Sequence, residues 1–151
     1  MATTNLIRLL SIAILASVMS VVVHQGSRAA ALAEIWVSFK VDPRLTQGLY
    51  MGDRWVSPPN YSRFGPPNGV TIEVRAVGVD DRHKQVAIDA TWVVADPELA
   101  TVAPGRRESE AKITVHKEGQ SELLVNSDDV SKKLIIKCES QDGGWRIDIS
   151  Q

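Results

Sequence analysis

The strongest constraint on this chain is a two-residue rhythm of apolar and polar side chains that runs from residue 34 to the end. In 34–41, Ile35, Val37, Phe39 and Val41 share one side, with Ser38 and Lys40 on the other. In 70–77, Val70, Ile72, Val74 and Ala76 alternate with Thr71, Glu73 and Arg75. The run 86–94 carries Val86, Ile88, Ala90, Trp92 and Val94 in one phase. Shorter runs follow: Ala111, Ile113 and Val115; Leu123 and Val125; Leu134, Ile136 and Cys138; Trp145, Ile147 and Ile149. Side chains of a β-strand point alternately to opposite faces, so this rhythm fits strands with one face buried and one in water. Beyond residue 33 no stretch sustains the 3.6-residue period of a helix, which argues against a helical domain.

Turn residues separate these runs. Asn68-Gly69, Asp80-Asp81, Pro104-Gly105, Glu118-Gly119 and Asp142-Gly143-Gly144 all tolerate the backbone angles that reversals need. The reading is one all-β domain over 34–151, a two-sheet antiparallel sandwich of about seven or eight strands. A chain of 151 residues has room for one such core and not for a second large one. The single cysteine, Cys138, cannot form an internal disulfide, so the fold must stand on its core. By alternation Cys138 faces inward as a buried thiol; an intermolecular disulfide is the alternative.

The first 33 residues differ from the rest. Arg8 and the amino terminus precede an apolar run from Leu9 to Val23. At about 15 residues that run suits the core of a secretory signal and falls short of a comfortable membrane span. Gln25, Gly26 and Ser27 follow, and then Ala29-Ala30-Ala31 and Ala31-Leu32-Ala33 offer two small-x-small cleavage patterns. The sequence predicts a signal peptide over 1–33, cut after Ala31 or Ala33, and a periplasmic or extracellular product. Arg28 keeps an uncleaved N-terminal anchor as the alternative, the one way in which the product would touch a membrane. The chain has 17 Lys and Arg against 18 Asp and Glu. Arg8 and Arg28 are the only charges before residue 34, so the rest carries 15 against 18, a net of −3. A mildly acidic domain has no bulk attraction for nucleic acid.

The middle of the chain carries a recognisable series. Trp92 closes a strand, Asp96-Pro97 makes a turn, and Leu99-Ala100-Thr101-Val102 follows. Gly105 and Gly119 mark two further turns, and 133–138 supplies a closing strand. Over about residues 67–140 this resembles the bacterial immunoglobulin-like domains of group 2. Two features depart from the family: Val93-Val94 replace a polar pair, and 106–110 is longer and more charged. The resemblance implies an immunoglobulin-like sandwich with Trp92 between its sheets. It also implies a surface or secreted module used for adhesion, spacing or carbohydrate contact.

The most unusual stretch is 49–67, which sits in an expected aromatic and proline-rich loop at 42–69. It holds Tyr50, Trp55, Tyr61 and Phe64, half of the aromatics implied by 4 Trp, 2 Tyr and 2 Phe. Arg54, Arg63 and the pairs Pro58-Pro59 and Pro66-Pro67 accompany them. Aromatic and Arg side chains on a stiff loop are common ingredients of a binding hot spot. Tyr50, Arg54, Trp55, Tyr61, Arg63 and Phe64 are therefore the candidate binding surface. Three uses stay open: capping one end of the sandwich, contact with a protein, and stacking on sugars.

Nothing points to catalysis. The chain lacks G-x-S-x-G, H-E-x-x-H and a glycine-rich phosphate loop. His83 and His116 have no second ligand at metal-binding spacing, and Asp80-Asp81 and Asp128-Asp129 read as turn formers rather than a calcium array. The expectation is a non-enzymatic exported module without metal or cofactor. It binds or assembles with a protein, which includes another copy of itself, in the envelope or outside the cell. The alternative is a carbohydrate-binding module that recognises polysaccharide through the same aromatics.

Overall fold

The structure, a computed structural model, describes residues 31–41, 54–67 and 69–151. Residues 1–30 of the signal peptide expected over 1–33, and the candidate Tyr50, lie outside the described residues. The described residues form strands and turns with no helix. The strands are β1 (Leu32–Lys40), β2 (Trp55–Val56), β3 (Asn60–Gly65), β4 (Val70–Asp80), β5 (Gln85–Val86) and β6 (Thr91–Val94). They continue with β7 (Ala100–Pro104), β8 (Glu110–Val115), β9 (Gly119–Ser127), β10 (Val130–Gln141) and β11 (Gly144–Ser150).

Two antiparallel sheets pack as a sandwich. The front sheet runs β2-β1-β4-β8-β7, with β5 also on β4. The back sheet runs β3-β11-β10-β9-β6. The count exceeds the expected seven or eight partly because β2 and β5 are two-residue pieces that no periodicity could reveal. Elsewhere the rhythm is kept. Ile35, Val37 and Phe39 from β1, Ile72 and Val74 from β4 and Ile113 and Val115 from β8 meet Leu123, Val125, Leu134, Ile136, Ile147 and Ile149 from the back sheet. Burying each such side chain contributes about 1.5–3 kcal/mol before ordering entropy is set against it. Cys138 is buried in this core as expected.

Local chemistry sets the reversals. Asp142 and Gly143 both have positive φ, 51° and 77°, the geometry of a two-residue type I′ hairpin between β10 and β11. At the end of β4 the buried Asp80 carboxylate accepts the backbone N–H groups of Arg82 (2.9 Å) and Lys84 (2.8 Å), which ties the turn down.

Two expectations about this framework change. The run 86–94 is not one strand. Gln85–Val86 pairs with β4 in the front sheet, and Thr91–Val94 pairs with β9 in the back sheet. The apolar phase stays continuous because a segment that crosses between sheets keeps the same side toward the core. Gly78 makes the crossing possible: a Cβ there would stand 2.5 Å from Ile88, 2.6 Å from Leu32 and 2.9 Å from Val86. Trp92 faces inward but is only half-buried, because β6 is the outer strand of its sheet. The segment 54–67, expected as loop, holds β2 and β3. Alternation in Asn60–Gly65 is strand-like, with Tyr61 and Arg63 half-buried and Asn60, Ser62 and Phe64 exposed. The proline pairs on either side bound this edge strand rather than stiffen a loop.

Candidate functional site

The six candidate residues do not share a surface. Tyr50 is not among the described residues, and Arg54 is exposed just before β2. Tyr61 turns inward and stacks on Phe39, with centroids 4.3 Å apart and planes 8° from parallel. That contact ties β3 of the back sheet to β1 of the front sheet, so Tyr61 seals the core. Arg63 lies on the same inward side, half-buried, with Nε shielded from solvent. An inward charge on an edge strand discourages pairing with a foreign strand. Phe64 is 61% exposed on the back sheet, with the Arg146 guanidinium 5.9 Å from its ring.

Trp55 enters a concave site. It is opposite Lys40 in the β1–β2 register, so both project from the outer face of the front sheet. The neighbouring Val56 is opposite Phe39 and faces the core. A cleft of about 300 Å³ opens there, lined by Trp55 and Lys40, by Glu73 and Arg75 of β4, and by Glu110 and Lys112 of β8. Arg106 and Arg107 close one side from the turn before β8. The Arg75 guanidinium sits 4.7 Å from the centre of the Trp55 ring. A cation over an indole face is attracted by the ring quadrupole, so each side chain fixes the other.

The charges in this cleft are unevenly satisfied. In register, Arg75 stands opposite Glu110, and Glu73 opposite Lys112. Each carboxylate turns to another partner instead. Glu73 pairs with Lys40 at 2.8 Å, and Glu110 reaches Arg107 at 4.0 Å. Arg75, Arg106 and Lys112 then form no ion pair among the described residues. Glu108, on the same turn, is engaged elsewhere: its hydrogen bond and like-charge contact with Asp89 push its carboxyl pKa up. The cleft thus holds Lys40, Arg75, Arg106, Arg107 and Lys112 against Glu73 and Glu110, an excess of three positive charges on an acidic domain.

Of the residues that line this cleft, the sequence singles out Trp55 and not its neighbours. The signal was present, because alternation puts Glu73, Arg75, Glu110 and Lys112 on outer faces. Only the β4–β8 register and the short β2 bring them beside Trp55. No family model matches the chain, and no curated protein or solved structure matches it. Among the described residues no cluster of three or more His, Cys, Asp or Glu could hold a metal ion.

Proposed function

We propose that this chain is an exported, non-enzymatic immunoglobulin-like module that binds a protein partner through the outer face of its front sheet. The observation that carries the reading is the cleft at Trp55, where three cations form no ion pair among the described residues of an otherwise acidic domain. The order β1-β4-β8-β7 against β6-β9-β10 corresponds to the ABED and CFG sheets of a seven-stranded immunoglobulin domain, with β11 and β3 added beyond the last strand. This supports the immunoglobulin-like part of the reading. The glycan alternative asks several aromatics to form one platform. Trp55, Tyr61 and Phe64 instead face the front surface, the core and the back surface.

A photo-crosslinking residue at Ala103 tests the binding reading in the cells that make the protein. Ala103 is exposed and pairs with Lys112. A protein adduct from position 103 and none from Glu139, on the opposite outer face, is the expected result. Polysaccharide adducts alone, or no difference between the two positions, would overturn it.

Export also acquires a preferred cut. Leu32 pairs with Asp80, and its side chain packs over Gly78. Cleavage after Ala31 keeps β1 whole, whereas cleavage after Ala33 removes Leu32. N-terminal sequencing of the mature protein should read Leu-Ala-Glu-Ile; a start at Glu34 would contradict this choice.

A further inference from the structure

We infer that the Trp55 cleft is a receptor for carboxylates, and that its ligand is an acidic peptide segment presented by the partner. This rests on the protein-binding reading above and names the chemistry of the same site. Arg75, Arg106 and Lys112 converge from β4, the turn before β8, and β8 on one cleft, with no carboxylate of the described residues bound to them. Arg75 is held against Trp55, which reduces the side-chain entropy lost when it engages a ligand. A guanidinium so placed offers a planar fork that matches a carboxylate in two hydrogen bonds.

Size and shape favour peptide over acidic polysaccharide. About 300 Å³ is at the small end of ligand sites and suits one or two side chains rather than a long groove tracking a polymer. One face of Trp55 is already taken by Arg75, which leaves the ring poorly placed as a sugar platform. Glu73 and Glu110 line the same cleft and disfavour dense anions such as sulfated chains, while spaced Asp or Glu side chains can reach the cations between them.

The test is a titration of the purified mature domain with a fluorescent peptide of alternating Glu and Gly. The comparison ligands are a Gly-Ser peptide and an oligouronate. The Glu peptide should bind, the Gly-Ser peptide should not, and affinity should fall steeply between about 0.05 and about 0.5 M salt. Arg75→Ala, Arg106→Ala and Lys112→Ala should each weaken binding by about tenfold. Arg75→Lys should recover only part of the loss, because the charge returns without the fork. Lys133→Ala, on the opposite face, should change nothing. No binding of the Glu peptide, or equal binding by all variants, overturns the inference. Preference for the oligouronate also overturns it and assigns the cleft to an acidic glycan. If the peptide fails while position 103 still crosslinks a protein, the inference falls and the binding module stands. If position 103 captures no protein either, both fall.

Discussion

On the outer face of the back sheet, cations sit beside carboxylates of the same sheet. Lys133 reaches Glu122 at 3.0 Å, Lys137 reaches Glu139 at 2.6 Å, and Arg146 reaches Asp148 at 3.0 Å. On the front sheet the acids are available in register, yet Arg75 and Lys112 are left without them. The materials are alike and the outcome differs because Lys40 and the 105–107 turn draw the two glutamates aside. The back face is therefore electrostatically closed, a solvated surface that also exposes Phe64 and the cross-strand pair Val93 and Leu124. The front face is open toward an anion from elsewhere.

The most damaging test of this contrast acts on what the two faces share. Phe39→Ala removes a fully buried ring and its stack on Tyr61, and should lower stability by about 3–5 kcal/mol in urea unfolding. Front-face binding and back-face structure should be lost together, since one core supports both. Next, Trp55→Ala should weaken the Glu peptide by about tenfold while stability moves by about 1 kcal/mol or less, because the ring is half-exposed and its removal unfastens Arg75. A stability loss as large as that of Phe39→Ala would show that Trp55 is a structural residue and break the contrast.

Acid separates the sheets more gently. In the front sheet, hydrogen bonding by the Lys84 backbone N–H is the chief cause holding the Asp80 carboxyl below its ordinary 3.8, against some opposition from burial. In the back sheet, burial pushes Asp148 up, but hydrogen bonds from Ser62 and Arg146 outweigh it and the pKa is again lowered from 3.8. Both folded-state values are depressed, so the stabilisation is complete above pH 3.8 and fades as pH falls through those lower values. Asp80→Asn and Asp148→Asn should each flatten part of the acid limb of a stability–pH curve. An unchanged limb in both would refute the assignment. The smallest effect is expected at Glu122→Ala, about 0.2–1 kcal/mol with no change in peptide binding, as for any exposed ion pair.

Much of the sandwich is legible in the sequence because period-2 alternation survives wherever a strand lies between core and water. It identifies β1, β4 and β8 to β11 and the inward side of Cys138. It fails at 86–94 because the inward phase is unbroken while the hydrogen-bonding partner changes from β4 to β9. It fails at 60–65 because prolines on both sides imitate a loop and because the inward positions, Tyr61 and Arg63, carry polar groups. The site is legible only at Trp55. Its other walls depend on register between segments roughly 35 residues apart in sequence, which local pattern does not encode.

The arrangement of β3 has a consequence in time. Its hydrogen-bonded neighbour is β11, so Ser62 waits for Asp148, 86 residues later in the chain. A ribosome delivers β3 first and its neighbour only after the intervening strands. Until then Tyr61 has no strand to hold it over Phe39, and one side of the core stays open. Long loops must close before such contacts help, so this step should be slow and should come only after β11 has emerged. A chain stalled just short of β11 would expose both an unsealed core and an unpaired edge, the features that chaperones bind and proteases cut.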